Sequence, residues 1–318
     1  MVTLEQFPWI EQYRPTIINN LAINDELKKK IKLLIKTMNF QNILITGDTG
    51  TCKTTSVNCI LRELYNNKYD DIMMLNLSSD ICKKTTQDNI INFCEKKINN
   101  KKIKFKTIVI DNIDKIQERT QQVIINLLKK YNTNIKFILI GTGLHDIIES
   151  IQTECLLLHF DRIEISKIKF ILEGICKTEK IEYDEMTINE ICNSVNGDIR
   201  TAINLLQYCY AKDKKCCNNN ILNLYGLPDS NTNKLIIQYI MDKNYKELIK
   251  IIKKLYKSYS GTDIIHGLYY YLNTENSTLN TKDKIILLKH ISIIQFNILK
   301  NSESLLQLLD DLLQIDLS

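Results

Sequence analysis

The stretch Ile43-Leu44-Ile45-Thr46-Gly47-Asp48-Thr49-Gly50-Thr51-Cys52-Lys53-Thr54-Thr55 reads as a short apolar strand, a glycine-bearing loop, and a lysine–threonine pair opening a helix. That is the order of a phosphate-binding loop: Gly, four residues, Gly, Lys, then Ser or Thr. Gly47, Lys53 and Thr54 fit, and Cys52 stands where the second glycine belongs. Backbone N–H groups along such a loop point at phosphates, and the dipole of the following helix reinforces them. Residues Gly47, Asp48, Thr49, Gly50, Thr51, Cys52, Lys53, Thr54 and Thr55 are therefore the candidate nucleotide contacts. Lys53 would neutralise the outer phosphates, and the Thr54 hydroxyl would ligate Mg²⁺. At Cys52 the backbone approaches phosphate closely, so a side chain there is expected to crowd the ligand.

Working outward, residues 24–38 predict a helix, with acids at its start and Leu27, Ile31, Leu34 and Ile35 at helical spacing. The strand at 42–46 enters the loop, and 54–64 continues as a helix. A strand is expected near 72–77, a helix near 87–97, and a strand over 107–110 ending in Asp111. The run Thr107-Ile108-Val109-Ile110 is continuous and β-branched, as in a parallel strand buried on both faces. A helix over 117–131 and strands at 137–140 and 156–160 follow. Strands alternating with helices spell an α/β parallel sheet with helices on its faces. Ligands of such sheets bind at the carboxyl ends of the strands, where the loop and Asp111 both fall. Asp111 is thus the second candidate Mg²⁺ ligand. Beyond Phe160 only helical patterns remain: three helices over 165–210, a linker at Gly226-Leu227-Pro228, and helices through 231–318. The expected organisation is an α/β nucleotide domain (1–161), a helical lid (162–224) and a helical collar (225–318).

The 318 residues carry a net charge of +5, with 44% hydrophobic and 25% charged residues. These are ordinary values for a soluble chain, and the mild basic excess permits nucleic-acid contact without demanding it. Ten cysteines are scattered without a Cys-x-x-Cys pair, and Cys216-Cys217 lacks a second pair or a nearby histidine. Free thiols in an intracellular reducing compartment are expected, not a zinc site. No apolar run is long enough for a membrane span, so no membrane partner is expected.

Several motifs together give this chain a family likeness. Pro8-Trp9-Ile10-Glu11-Gln12-Tyr13-Arg14-Pro15 resembles the N-terminal box of the small subunits of replication factor C, the clamp loader of the AAA+ ATPases. Ser79-Asp80, Gln121-Gln122, Ile147-Ile148-Glu149-Ser150-Ile151-Gln152-Thr153-Glu154-Cys155, Gly197-Asp198-Ile199-Arg200 and Tyr225-Gly226 resemble further boxes of that family. The resemblance implies an AAA+ P-loop sheet, a lid and an all-α collar. It implies ATP or ADP with Mg²⁺, Tyr13 and Arg14 beside the base, and Arg200 as the second sensor of phosphate. It implies a hetero-pentamer with other clamp-loader subunits, a sliding clamp touched by Ile90 and Phe93, and primer–template DNA held through its phosphates. Lys83, Lys84 and Lys115 are candidates for that last contact, while the acidic Asp310-Asp311 and Asp316 argue against a basic tail. The nucleus, or a viral or cytoplasmic replication site, is the implied location.

The departures form a set. Asn112 replaces the family's Walker B glutamate, and an amide cannot take a proton from water as a carboxylate can. Thr142 stands at the sensor-1 asparagine and Glu154 at the arginine finger. Ile125-Asn126 stands at an expected arginine pair. Lys53, Thr54, Asp111 and Arg200 are kept. The expectation is a subunit that binds nucleotide with little or no hydrolysis of its own. The alternatives are an active ATPase subunit and a scaffold outside clamp loading.

Overall fold

The computed structural model describes residues 8–37, 40–76, 84–98, 105–213, 226–273, 280–300 and 304–315. Ser79-Asp80, Lys83, Cys82, Cys216-Cys217, Tyr225 and Asp316 lie outside the described residues. Contacts group the chain into two compact units, one within Met1–Ile181 and Val195–Ala211, the other within Glu182–Ser194 and Lys212–Ser318.

The first unit is built on five parallel strands: β1 (Ile43–Gly47), β2 (Ile72–Asn76), β3 (Lys106–Asp111), β4 (Ile135–Ile140) and β5 (Leu156–Phe160). Their order is β2-β3-β4-β1-β5. Strand residues alternate between two apolar layers, as the pleat requires. Ile43, Ile45, Val109, Ile138 and Ile140 pack on one face with Ile31, Ile60 and Leu61. Leu44, Ile108, Ile110, Phe137 and Leu139 pack on the other with Ile124, Leu128 and Ile151. Those partners come from α2 (Asp25–Thr37), α3 (Lys53–Tyr65), α5 (Glu118–Lys130) and α6 (Glu149–Glu154). On the edge strand β5, Leu156 and Leu157 are partly exposed. Gln121-Gln122 falls inside α5.

The unit is completed by α1 (Trp9–Gln12), α4 (Lys84–Glu95), α7 (Ile165–Glu179) and α9 (Ile199–Asp213). Trp9 is buried, its ring 5.4 Å from that of Tyr210, and its backbone N–H donates to Gln207 Oε1 at 3.1 Å. The N-terminal box is therefore docked on α9.

The second unit is helical: α8 (Glu185–Ser194), α10 (Ser230–Met241), α11 (Tyr245–Leu255), α12 (Gly261–Asn273), α13 (Thr281–Lys300) and α14 (Leu305–Leu313). Leu248, Ile252, Ile264, Leu268, Leu287 and Leu312 are among its core residues. Among the described residues no helix is long and apolar enough to cross a membrane.

Candidate nucleotide-binding site

β1, β3 and β4 end side by side, and the loops that leave them line a cleft of about 650 Å³. That volume suits a nucleotide-sized ligand. Thr51, Lys53, Thr54, Asp111, Asn112 and Thr142 line it, with Tyr13, Arg14 and Arg200 from outside the sheet. The geometry thus gathers both candidate metal ligands, the loop, the N-terminal box and the sensor positions at one place.

The Thr54 hydroxyl donates to Asp111 Oδ2 at 3.1 Å. A hydroxyl and a carboxylate at this distance form a hard-oxygen pair, the donor type Mg²⁺ prefers. Lys53 Nζ donates to the carbonyls of Gly47 and Asp48, each at 2.6 Å. Burial lowers the pKa of the Lys53 ammonium, Asp111, Asp114 and Asp48 act against that, and Arg200 adds to the lowering. The Arg200 charge is thus felt at Lys53. Gly50 has φ +71°, and a Cβ there would stand 1.8 Å from Asp198 Oδ1. Asp198 itself caps α9, accepting from the N–H of Arg200 at 2.9 Å and of Thr201 at 3.1 Å. The loop and the turn that carries Arg200 are in direct contact.

Cys52 lines the cleft between Thr51 and Lys53. Its backbone is left-handed, φ 67° and ψ 19°, and that conformation is what glycine would supply at no steric cost. The side chain packs against the core behind the loop. Burial pushes its thiol up to about 11, and a hydrogen bond from the Ala22 backbone eases the shift. The departure is therefore expressed as backbone strain, with the thiol directed onto the segment before α2.

The Walker B neighbourhood is closed by side chains. Asn112 is also left-handed, φ 58°, a conformation asparagine tolerates better than most residues. Its Nδ2 donates to Asn76 Oδ1 at 3.0 Å. Thr142 Oγ1 donates to Asp114 Oδ2 at 2.6 Å. Asp114 Oδ1 is buried and, among the described residues, has no hydrogen-bond partner. Gln121 is buried and braces this region. Its Nε2 donates to the carbonyls of Ile116 at 3.1 Å and Asp146 at 2.6 Å, and its Oε1 accepts from Ile148 N–H at 3.0 Å.

Tyr13 donates to Glu179 Oε1 at 2.5 Å. Burial, then this bond, pushes its phenol up to about 12. Arg14 pairs with Glu11 at 3.0 Å. Glu154 is partly exposed and lies 3.6 Å from Lys129. Ile125 is core and Asn126 exposed. Ile90 is 1% exposed and belongs to the core under β3, so its side chain is out of a partner's reach. Phe93 is half-buried, with Lys106 Nζ 4.9 Å from its ring centre. Lys115 is exposed, and α4 starts at Lys84.

Sequence reasoning missed the Asp48–Arg162 ion pair, 2.7 Å between Nε and Oδ2. It also missed Asn76 and Glu179, and the bracing contacts of Gln121, which depend on segments far apart in the chain.

Comparison with known proteins places this architecture. Residues 228–314 match the model of the replication factor C C-terminal domain, and 170–211 that of the RCF1/5-like AAA+ ATPase lid domain. Residues 18–137 match the P-loop containing dynein motor region. A protein named as a replication factor C small subunit, from Acanthamoeba polyphaga mimivirus, is 31% identical over 95% of this chain and 94% of its own length. The chain belongs to the replication factor C small-subunit family. Replication factor C subunit 4 of Saccharomyces cerevisiae is 27% identical, over 98% of this chain and 96% of its own. The fold is also that of the Thermotoga maritima RuvB Holliday junction branch migration motor, at TM-score 0.55 and 17% identity, covering 84% of this chain and 87% of that one. Within the replication factor C family frame, the cleft is the P-loop site of an AAA+ fold.

Proposed function

We propose that this chain is a small subunit of a replication factor C-type clamp loader, and that it holds ATP or ADP with Mg²⁺ while hydrolysing little or none. The observation that carries the reading is the contrast between two positions at the end of β3. Asp111 keeps its contact with Thr54, at 3.1 Å. Asn112, one residue on, spends its amide on Asn76 and offers water no carboxylate.

The residues divide by task. Lys53 and the loop amides bind phosphates, and Thr54 with Asp111 would hold Mg²⁺, whose chemistry is to neutralise phosphate charge. Arg200 reads the phosphates from the lid side. Tyr13 and Arg14 stand by the base, and Tyr13 is fixed by Glu179. Glu154, at the family's finger position, would bring negative charge toward a neighbouring subunit's nucleotide. An arginine finger is worth roughly 10³–10⁵ in rate, so the neighbour's site also loses stabilisation.

The domain reading is a nucleotide domain (1–161), a lid (162–224) and an oligomerising collar (225–318). Its collar part is supported by α13, which is apolar on two sides. Leu287, Ile291, Ile294 and Ile298 are buried, while Ile285, Phe296 and Leu299 are 67%, 62% and 74% exposed. Eleven residues, about three turns, separate Ile285 from Phe296, so both lie on one side. Large apolar side chains left exposed on a second side of a helix mark a surface that a partner can cover, which fits a partner subunit. A sliding clamp would meet α4 through Phe93 without Ile90, and DNA phosphates would meet Lys115 among others. A nuclear, viral or cytoplasmic replication site follows from this role.

Asp114 supports a competing reading, an active ATPase, since its buried Oδ1 is an unspent acceptor near Lys53. A pull-down from the host, with bound protein and nucleotide identified, separates the readings. Clamp-loader subunits with retained nucleotide are expected. Association with none of them would favour a scaffold outside clamp loading.

A further inference from the structure

Asp48 is an unusual residue for its place. It follows Gly47 directly, in the loop whose amides face phosphate, and its carboxylate repels the ligand the loop is shaped to hold. Arg162 answers that charge, with Nε 2.7 Å from Asp48 Oδ2. The two side chains are 58% and 64% exposed. An ion pair this open adds little to stability, so folding does not explain why it is built.

Its construction uses three separate segments. Arg162 follows β5, which pairs with β1 in register, Gly47 opposite Phe160. Gly197, φ +89°, packs against Arg162 from the other side, where a Cβ would stand 2.8 Å from the Arg162 Cβ. The neighbouring Asp198 abuts Gly50 in the loop, and the Ile199 N–H donates to the Gly50 carbonyl at 3.4 Å. The arginine is thus lodged between the phosphate loop and the turn that carries Arg200. Among the described residues its Nη groups have no hydrogen-bond partner, and only Nε is engaged.

We infer that Arg162 is a positioning residue for nucleotide: it neutralises Asp48 and holds that carboxylate aside, so that the phosphate loop accepts an anion. This rests on the nucleotide-binding reading of the cleft, and it adds a residue that none of the family motifs quoted above includes. The effect runs through Asp48, which makes it separable from direct contact. Removal of Arg162 leaves an unpaired carboxylate in the cradle. Removal of the carboxylate makes Arg162 dispensable.

The test is a double-mutant cycle on the full chain, with Mg-ATP and Mg-ADP titrated calorimetrically. Arg162→Ala is expected to weaken ATP binding by about three- to ten-fold, and Arg162→Lys to keep most of the affinity. Asp48→Asn keeps the loop's backbone amides and removes the carboxylate charge, so it is expected to tighten ATP binding. In the Asp48→Asn background, Arg162→Ala should cost less than about two-fold. Thermal unfolding of Arg162→Ala close to that of the unaltered protein shows that the loss is not one of folding. An equal cost of Arg162→Ala with and without Asp48 would overturn the inference and make Arg162 a direct phosphate ligand. No cost in either background would overturn it as well. If the unaltered protein binds neither nucleotide, the reading of the cleft fails, and the role of Arg162 falls with it.

Discussion

The Thr142 hydroxyl donates to the Asp114 carboxylate at 2.6 Å, and the Asp114 charge is felt at Lys53. One residue at the sensor-1 position is thereby tied to one acid after the Walker B strand. Asn112 is likewise tied to Asn76. Asn112 and Thr142 thus spend their polar groups on neighbouring side chains, while Thr54 and Asp111 stay in contact at the cleft.

Asn112→Glu restores a carboxylate beside Asp111. General-base help is worth roughly 10²–10⁴ in rate, so ATP turnover should rise at least about ten-fold over the unaltered protein. Asn112 is left-handed, and glutamate is less at ease there, so the same variant should lose about 1 kcal/mol of stability. Turnover unchanged by the substitution would mean that another group already handles the water.

Cys52→Gly removes a side chain that is turned onto Ala22 and the core. It relieves a left-handed strain of about 1 kcal/mol but gives up thiol burial and adds unfolded-chain entropy of similar size. Stability should therefore move by less than about 1 kcal/mol, and ATP affinity by less than about three-fold. Affinity that tightens ten-fold or more would show that the thiol obstructs phosphate after all.

Much of this was legible in the chain. Strands buried on both faces leave continuous runs such as Thr107-Ile108-Val109-Ile110, and the phosphate loop needs its residues at fixed spacing. Lys53, Thr54 and Asp111 could therefore be placed before any coordinates. The conformation of Cys52 could not, because a side chain's direction depends on what Ala22 and Cys59 offer behind the loop. Ile90 and Phe93 share helical spacing, yet only the packed sheet decides that Ile90 faces inward. Asp48 with Arg162, and Tyr13 with Glu179, join segments more than a hundred residues apart. Local pattern carries no trace of such pairs.

Burial raises several acids of the first unit. Cys52, Cys59 and Cys176 are pushed up to about 11 from 9.0, and Tyr13 and Tyr65 to about 12 from 10.0. The folded chain therefore holds these protons where the unfolded chain has lost them. Their stabilising effect is complete below the unfolded values and is lost as pH climbs through the folded ones. Lys53, Lys106 and Lys136, lowered by burial, act in the opposite sense but are outnumbered, so the urea midpoint should fall between pH 8 and pH 10.5. A midpoint indifferent to that change would contradict the burial of these groups.

Phe296 lies on the outer side of α13, 62% exposed. Phe296→Asp should change the stability of the chain by no more than about 0.5 kcal/mol, as surface substitutions do. Its co-purification with partner subunits should drop at least about ten-fold if that side is an interface centre. Undiminished association would assign the collar contact elsewhere.

The central claim is that this site holds nucleotide without consuming it. Equilibrium binding of Mg-ATP and steady-state phosphate release, measured on one preparation beside Lys53→Ala, test it most directly. The account predicts Mg²⁺-dependent binding that Lys53→Ala abolishes, and phosphate release no faster than that of Lys53→Ala. Clear Mg²⁺-dependent turnover by the unaltered protein, lost in Lys53→Ala, would contradict it.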